Sequence, residues 1–511
     1  MGEERRKRGG GRIALIGAGA ELGRARAQLD ALGDDAPEIA TEIDVESLRA
    51  SGGLDTGRLR EQLERAAGER ACDTALACLP GAMTGVLGGV SRTATTLGMA
   101  FRVMPTLTDV MLGRTAGAAG APIDLAALIG REPRPVDEGL VREAVAGKRV
   151  LITGAGGSIG SELAGLCAGY GPSRLGLMDR SENALFEIDR RIGGAHPGLA
   201  RVAMLHDVIE AETTRRLVAD LRPQIVFHAA AHKHVPLMEN HPCAAVRNNL
   251  FGTKSIADAS LEAGASRFVM ISTDKAVNPT SVMGATKRLA ELYVRSLNGH
   301  GASRFCLVRF GNVLGSACSV LPIWAGQIGE GGPVTVTHEA MTRYFMTIPE
   351  AAALVVQASA LGAADERGGV FVLDMGEPVR IIELAERFVR LSGFDPVMPG
   401  GHNGACGRAT MPIVVTGIRP GEKLSEELAH EAESLTPTRV PGVLAWTGEA
   451  PARERVEAMI EELGSLAMTD PAEVVVAAIA RQVRGMTRLS PEHEIETVDQ
   501  GSRIRVGSHA A

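Results

Sequence analysis

The chain has 511 residues, of which 45% are hydrophobic, 23% charged and only 3% aromatic. This length predicts two to four domains with large buried cores, and it excludes a small scaffold that depends on disulfides. The formal net charge of -7 and the scarcity of aromatic rings argue against a nucleic-acid-binding protein, because such proteins need a basic surface or stacking platforms.

The cysteines, the hydropathy and the N-terminal residues indicate the cellular compartment in which the protein is expected. The seven cysteines are scattered and form no Cys-x-x-Cys motif, so we expect no disulfide framework, no metal site and a reducing, cytoplasmic environment. No apolar run reaches the length of a membrane-spanning helix, so we expect no membrane span. Residues 1–11 contain the basic cluster Arg5 to Arg8 followed by glycines, and they are expected to form a disordered tail rather than a secretory signal.

Residues 12–111 are expected to form a small, degenerate Rossmann-like domain. The segment RIALIGAGAELG at 12–23 is typical of a strand that turns into a helix, but its glycine spacing is one residue longer than in the usual dinucleotide-binding motif. Strand-like runs follow at 74–79 and 100–104, and no acidic residue follows a clear second strand. We therefore expect a structural or vestigial domain, with a nucleotide site as the alternative.

The rest of the chain divides by pattern. Residues 112–147 read as a connector that ends in a short helix, and 148–440 alternate strands and helices as a parallel sheet with right-handed crossovers does. The strand-like runs lie at 148–152, 175–178, 202–205, 225–228, 267–271 and 305–308. Residues 441–485 are expected to be helical and 486–511 disordered. The sequence thus predicts an α/β protein with two domains.

A dinucleotide-binding loop is predicted directly after the strand-like run at 148–152. Gly154, Gly157 and Gly160 let backbone amides approach a pyrophosphate, while the N-terminus of the next helix contributes a positive dipole. The residues expected to contact the cofactor are Gly154, Gly157, Ser158, Ile159, Gly160, Asp179, Arg180, Asp207, Ala229 and Lys287.

The choice of cofactor depends on Asp179, which ends the next strand-like run. A carboxylate at this point binds the adenosine ribose and repels a 2′-phosphate, so we expect NAD. Arg180 and Ser181 follow directly and make NADP the alternative. Asp207 is a candidate for the adenine edge, and a helix cap is the other interpretation of this residue.

The candidate catalytic residues lie between Ile271 and Lys287. Thr273, Asp274 and Lys275 place a hydroxyl, a carboxyl and an amine at the end of a buried strand. Short-chain dehydrogenases usually carry a Tyr four residues before a Lys, but here that position is Met283. A thioether cannot exchange a proton, so acid and base chemistry falls to Asp274, Lys275 or water, and Met283 is expected to pack. A surface ion pair is the alternative for Asp274 and Lys275.

The order and spacing of these motifs resemble the UDP-N-acetylglucosamine 4,6-dehydratases of bacterial polysaccharide biosynthesis, the long CapD-like branch of the extended short-chain dehydrogenases. The matching segments are LITGAGGSIG at 151–160, AAHKHVPLME at 230–239, STDKAVNPTSVMGATK at 272–287, RFGNVLG at 309–315, MTRYFMTIPE at 341–350, FVLDMGE at 371–377 and GIRPGEKL at 417–424. The resemblance implies an extended short-chain dehydrogenase domain with a smaller C-terminal substrate-binding part. It also implies that Met283 is normal for this branch, and that this chain is a version without the branch's transmembrane helices.

The resemblance also implies roles for single residues. Asp274 would protonate the departing 6-hydroxyl, Lys275 would remove the C5 proton and Thr273 would bind the 4-oxygen. Lys287 would hold the nicotinamide ribose, which completes the candidate catalytic set of Thr273, Asp274, Lys275, Met283 and Lys287. The implied substrate contacts are Lys233, His234, Asn312, Arg419 and Glu422.

Several alternatives stay open at this point. Glu422 could act as a charge at a helix N-terminus, and His234 could be a core histidine. The activity implied is NAD-dependent 4,6-dehydration of a UDP-N-acetylhexosamine, with a 4-epimerase or a non-catalytic NAD-binding regulator or scaffold as rivals. The expected partners are a UDP-sugar and a second copy of the chain, in a homodimer through the helices carrying Met283 and Lys287 or in a higher homo-oligomer.

Overall fold

The computed structural model divides into two compact units. The described residues are 12–30, 36–50, 53–69, 71–79, 90, 93–94, 96–104, 128–130, 134–299, 301–329, 332–361, 369–392, 394–398, 410–430, 433–446, 448–469, 471–483 and 486. The first unit comprises Met1–Gly130, Gly315–Glu339 and Ile381–Thr416, and the second comprises Arg131–Leu314, Ala340–Arg380 and Gly417–Ala511. Of the two expected terminal tails, 1–11 and 487–511 lie outside the described residues.

The strands of the described segments are numbered in chain order. They are β1 (Arg12–Gly17), β2 (Glu38–Asp44), β3 (Arg49–Ala50), β4 (Gly53–Leu54), β5 (Thr74–Cys78), β6 (Ala100–Val103), β7 (Arg149–Thr153), β8 (Arg174–Asp179), β9 (Arg201–Leu205), β10 (Ile225–His228), β11 (Arg267–Ile271), β12 (Arg304–Arg309), β13 (Asn312–Leu314), β14 (Val334–Val336), β15 (Thr342–Arg343), β16 (Phe345–Thr347), β17 (Val370–Leu373), β18 (Val379–Arg380), β19 (Asp395–Val397), β20 (Thr410–Val415), β21 (Thr436–Pro437) and β22 (Val443–Trp446).

The helices are numbered in the same way. They are α1 (Ala20–Asp30), α2 (Thr56–Gly68), α3 (Glu138–Val145), α4 (Ser158–Gly169), α5 (Glu182–Ala195), α6 (Ala211–Leu221), α7 (Val235–Asn240), α8 (Pro242–Ala245), α9 (Thr253–Glu262), α10 (Val282–Ser296), α11 (Val320–Gly329), α12 (Ile348–Leu361), α13 (Ile381–Leu391), α14 (Arg453–Thr469) and α15 (Ala472–Gln482). A π-helical segment, Val246–Gly252, precedes α9, and a short 3₁₀ turn, Asp274–Ala276, follows β11. Within the described segments, none of the helices combines the length and the apolar character that a bilayer crossing requires.

The first unit contains a four-stranded parallel sheet in the order β2-β1-β5-β6. The expected strands β1, β5 and β6 are present. The expectation that no clear second strand precedes an acidic residue was wrong, because β2 pairs with β1 and ends at Asp44. The sequence EIATEID of β2 alternates in polarity, and only Ile43 of this edge strand is buried. It therefore has none of the apolar run that marks a central strand.

The second unit contains a nine-stranded sheet in the order β21-β22-β17-β12-β11-β10-β7-β8-β9. The six predicted strands, β7 to β12, are all present and pair in parallel. The middle residues of β7, β8, β10, β11 and β12 are buried because apolar clusters cover both faces of the sheet, whereas β9 lies at its edge and only Met204 of this strand is buried. The stretch beyond 440 begins with the strand β22, which pairs antiparallel with β17, and not with a helix as expected.

The helix α10, which carries Met283 and Lys287, is buried by its own chain. Arg288 and Leu292 are its only residues that are not buried. The C-terminal helices α14 and α15 pack against it, and Ile479 of α15 joins the same apolar cluster as Leu289 of α10. A partner could reach this helix only if α14 and α15 moved away, and the homodimer through α10 stays a prediction.

Candidate active site

The loop between β7 and α4 leaves no room for side chains. Gly154 has φ +65°, and a Cβ there would lie 2.8 Å from the carbonyl carbon of Ala229. A Cβ at Gly160 would lie 2.0 Å from the carbonyl oxygen of Gly154. The helix α4 begins at Ser158 and Ile159 without a side-chain cap. Its first N–H groups and its dipole therefore suit a negatively charged group such as a pyrophosphate.

Asp179 lies at the end of β8, directly beside this loop. Its Oδ2 accepts a hydrogen bond from the backbone N–H of Gly156 at 2.9 Å, and its Oδ1 accepts one from the N–H of Ser181 at 2.9 Å. These bonds fix the carboxylate at the sheet edge where a dinucleotide ribose is expected. Each oxygen keeps a further lone pair with which it can accept a ribose hydroxyl.

Arg180 and Asp207 face each other across the same edge. Their closest charged atoms are 3.6 Å apart, and Arg180 also contacts Nε2 of His232 at 2.6 Å. Asp207 Oδ1 accepts from the backbone N–H of Ile209, but the N-cap of α6 is Glu210. The interpretation of Asp207 as a helix cap was therefore wrong, and its carboxylate instead balances the charge of Arg180.

The turn after β11 brings together the three expected polar residues. The Thr273 hydroxyl donates to Asp274 Oδ1 at 2.9 Å, and Lys275 Nζ donates to the same oxygen at 3.0 Å. Asp274 is 0% exposed, and its Oδ2 has no hydrogen-bond partner among the residues that the structure describes. A buried carboxyl oxygen without a partner is uncommon, which makes Oδ2 of Asp274 a candidate contact for a bound ligand.

Lys275 is enclosed by acceptors. Its Nζ donates to Oδ1 of Asn312 at 3.1 Å and lies 3.6 Å from Oε1 of Glu426. Burial lowers the pKa of this amine, but Asp274 and Glu426 together outweigh burial and raise the pKa above its ordinary value. Lys275 is thus an ammonium at neutral pH in this state. This arrangement excludes the surface ion pair that was the alternative for Asp274 and Lys275.

Lys287 and Met283 lie on the first turns of α10. Lys287 Nζ donates to the carbonyl of Ile271 at 2.7 Å. Burial lowers its pKa to about 8, although Glu291 opposes this shift. Met283 is 3% exposed within the apolar cluster of α10, which matches its expected packing.

A second group of predicted residues forms a cationic surface. Burial lowers the pKa of His234, and the neighbouring charges of Lys233 and Arg419 lower it further. Arg419 pairs with Glu422 through Nη2 and Oε1 at 2.7 Å. His234 is exposed and no helix begins at Glu422 in the fully described stretch 410–430, so the alternative interpretations of both residues were wrong.

The loop that carries Arg419 and Glu422 is anchored to the catalytic turn. Lys423 Nζ donates to the carbonyl of Val277 at 3.0 Å, and Arg343 Nη2 donates to the carbonyl of Lys423 at 2.8 Å. In the structure, Oδ1 of Asn312 accepts a hydrogen bond from Lys275 Nζ, whereas the family resemblance implies a contact between Asn312 and the substrate. Sequence reasoning missed Glu426, although it lies just past the GIRPGEKL motif.

Comparison with known proteins gives a consistent result. The sequence profile described as "Polysaccharide biosynthesis protein" matches residues 150–447. The chain is 45% identical over 341 residues to the probable polysaccharide biosynthesis protein EpsC of Bacillus subtilis, which covers 66% of this chain and 54% of that protein. It is 31% identical over 299 residues to an inverting UDP-N-acetylglucosamine 4,6-dehydratase of Campylobacter jejuni, covering 56% of this chain and 79% of that one.

The solved structures include Pen from Bacillus thuringiensis. Its TM-score with this chain is 0.53 at 25% sequence identity, over 70% of this chain and 99% of Pen. The chain spans about half the length of the first curated relatives that it matches, at 54% and 53%.

Proposed function

Since the chain belongs to the polysaccharide biosynthesis protein family, we propose that it catalyses the NAD-dependent 4,6-dehydration of a UDP-N-acetylhexosamine, with UDP-N-acetylglucosamine as the first substrate to test. The observation that carries this proposal is the buried Asp274 carboxyl. One of its oxygens has no partner in the described segments, and the amine of Lys275 lies 3.0 Å from the other oxygen. A 4,6-elimination needs one acid and one base, and this turn offers both.

The residues present fit a nicotinamide dinucleotide. The glycine loop at 154–160 would hold the pyrophosphate, Asp179 would accept the adenosine ribose hydroxyls, and Lys287 would hold the nicotinamide ribose. Arg180 is neutralised in part by Asp207 at 3.6 Å, which favours NAD over NADP. The chemistry supplied by the bound cofactor is reversible hydride transfer, first from C4 of the sugar and later to C6.

Two side chains, Lys275 and Asp274, would catalyse the elimination that takes place between these hydride transfers. Oxidation at C4 acidifies the C5 hydrogen, so Lys275 in its neutral form removes that proton and becomes an ammonium. Asp274 in its acid form protonates the 6-hydroxyl, which leaves as water while the C5–C6 double bond forms. Thr273 would donate to the 4-oxygen. Proton loss at C5 and proton gain at the leaving hydroxyl balance. The proton released from the 4-hydroxyl on oxidation is likewise balanced by the solvent proton that C5 would take up when C6 receives hydride.

The substrate's diphosphate needs cationic donors near the site. Arg419 offers a planar donor fork, and Lys233 and His234 add positive charge beside it. Glu422, which pairs with Arg419, would turn to the uridine ribose hydroxyls. Asn312 would act through Lys275 and not on the sugar nucleotide directly.

Incubation of the purified protein with UDP-N-acetylglucosamine in D₂O, followed by NMR, tests this function. We expect a 4-keto-6-deoxy product with deuterium at C5. Formation of the 4-epimer with an intact 6-hydroxyl would replace the dehydratase by an epimerase. Retention of NAD without any turnover of UDP-N-acetylhexosamines would instead support a regulator or scaffold.

A further inference from the structure

Glu426 is a buried carboxylate at the catalytic lysine. Its side chain is 3% exposed, and its Oε1 lies 3.6 Å from Nζ of Lys275. Within the described part of the chain, its Oε2 has no hydrogen-bond partner. Burying a carboxylate is costly unless it is paired, so the proximity of Glu426 to Lys275 calls for a reason beyond packing.

The amine of Lys275 has three acceptor groups around it. Asp274 Oδ1 lies at 3.0 Å, Asn312 Oδ1 at 3.1 Å and Glu426 Oε1 at 3.6 Å. The charged groups that face this amine are therefore Asp274, Glu426 and the more distant Arg343, whose positive charge opposes theirs. Of the two carboxylates, Asp274 has a role as acid in the proposed reaction, whereas Glu426 has none.

Resting on the proposed function, we propose that Glu426 is a positioning residue that holds the Lys275 amine beside Asp274 and controls when this amine carries a proton. Its place on the anchored 417–428 loop supports this role. Bonds from Lys423 to Val277 and from Arg343 to Lys423 fix that loop to the catalytic turn. Glu426 therefore contacts the lysine from a different segment than Asp274 does.

The proton count explains what such a residue does. The reaction needs Lys275 as a neutral amine and Asp274 as a carboxylic acid. This pair holds the same number of protons as the resting pair, in which Lys275 is an ammonium and Asp274 a carboxylate. The negative charge of Glu426 stabilises the ammonium of Lys275, and this ammonium is also the product of C5 deprotonation. Glu426 thus delays the loss of the Lys275 proton to higher pH, but it favours the transfer of the C5 proton once the amine is neutral.

Two variants separate charge from position. Glu426→Gln keeps the shape of the side chain and removes its charge, so the descending limb of kcat/KM against pH, at which the resting pair loses the Lys275 proton, should move by about one unit to lower pH. Glu426→Asp restores the charge on a shorter stem, so the limb should stay near its wild-type pH while kcat falls.

Glu427→Gln is the matched control. Glu427 is the next residue, its side chain is 48% exposed, and its own contacts are with Lys423 and Asn278. This change should leave the pH limb in place. An unchanged limb in Glu426→Gln, or an equal shift in Glu427→Gln, would overturn the proposal. If Glu426→Gln does not fold, Glu426→Asp still tests the proposal: a lower kcat with the limb at its wild-type pH supports it, and a shifted limb or an unchanged kcat would overturn it.

A second readout does not depend on turnover. Competitive acylation with acetic anhydride over a pH series, read by mass spectrometry, reports the pH at which Lys275 becomes reactive. We expect this pH to be lower in Glu426→Gln than in the wild type and in Glu427→Gln. If the pH shift occurs in a protein that does not dehydrate UDP-N-acetylglucosamine, the proposed role of Glu426 stands and the proposed function is refuted. If the protein turns over this substrate but Glu426→Gln causes no pH shift, the proposed function stands and the role of Glu426 is refuted.

Discussion

Lys275 and Lys287 are both buried, but their surroundings act on their charges in opposite directions. The carboxylates of Asp274 and Glu426 raise the pKa of Lys275, while burial lowers the pKa of Lys287 to about 8. Lys287 donates to the carbonyl of Ile271, which needs a donor but supplies no full negative charge. The site therefore contains one lysine whose neutral form must be produced for catalysis and one that titrates near neutral pH.

Substitutions on the catalytic turn separate chemistry from packing. Asp274→Asn and Lys275→Met should each lower kcat about 10²- to 10⁴-fold, because each removes a positioned acid or base. Met283→Leu conserves apolar volume and should keep activity within a small factor. Deuterium uptake at C5 is the measurement: Asp274→Asn should still exchange this hydrogen, and Lys275→Met should not. Normal exchange in Lys275→Met would make His234 the next candidate for the base.

Two glycines of α4 form a matched pair for the cofactor site. A Cβ at Gly160 would lie 2.0 Å from the carbonyl oxygen of Gly154, whereas a Cβ at Gly165 meets nothing within 4 Å. Gly160→Ala should therefore distort the loop and abolish co-purification of NAD. Gly165→Ala should retain NAD and gain about 0.5–1 kcal/mol of stability. Equal NAD binding by the two variants, measured by calorimetric titration, would contradict the placement of the pyrophosphate.

Local patterns predict the glycine loop, Asp179 and the Thr273 turn because each lies within a few residues of a strand end. Glu426 could not be found in this way. Its contact with Lys275 joins segments that are distant in sequence, and an acidic residue in a polar loop has no local signal that it is buried. The roles assigned to the predicted site residues stay predictions.

At the scale of elements, a buried ion cluster joins β12, α10 and the segment before β21. Arg309, which is 0% exposed, pairs with Glu291 at 2.7 Å and with Glu433 at 2.6 Å. Ser272 donates to Glu291 at 2.7 Å. The cluster thus connects the end of the catalytic strand to the helix that carries Lys287.

Breaking this cluster should destabilise the second unit strongly. Arg309→Met leaves Glu291 and Glu433 buried without their shared counter-charge, which should lower the free energy of unfolding by about 3–5 kcal/mol. Arg481→Met removes an ion pair whose arginine is 60% exposed, so it should change stability by less than about 1 kcal/mol. Urea unfolding measures both. Similar small losses would mean that the cluster reorganises without Arg309.

The same cluster predicts a dependence of stability on pH. Burial alone would raise the pKa of Glu291, but Arg309, Arg288 and Ser272 together lower it from 4.5 to about 2. A depressed carboxyl pKa contributes stability above its unfolded value and loses it as pH falls through the folded one. The loss of stability in Glu291→Gln should therefore be large at pH 7 and shrink between about pH 4.5 and 2. A constant difference in urea unfolding would refute this.

The elements that the sequence predicts well are the central parallel strands, whose apolar runs are buried on both faces. The edge strand β2 was missed because its polar residues face solvent. The strand β22 was missed because VLAW is too short to be told from a helical start by periodicity.

At the scale of the whole molecule, membership of the polysaccharide biosynthesis protein family confirms the resemblance that the seven motifs indicate. The predicted α/β fold with a large, mainly parallel sheet is confirmed as well. What local patterns could not predict is which helices cover one another. The amphipathic helix α10 needs a cover for its apolar face, and the sequence alone allows a partner chain or the chain's own C-terminal helices to provide it.

Neighbouring valines of α15 test this cover. Val475 is 0% exposed in the apolar cluster shared with α10, whereas Val474 is 40% exposed. Val475→Asp buries an unpaired charge, so it should lower the free energy of unfolding by several kcal/mol and weaken NAD binding through Lys287 of α10. Val474→Asp should stay within about 0.5 kcal/mol. Urea unfolding, NAD titration and light scattering are the measurements. If the native protein instead dimerises through α10, its α14 and α15 are already displaced there, so Val475→Asp would leave both stability and the dimer unchanged.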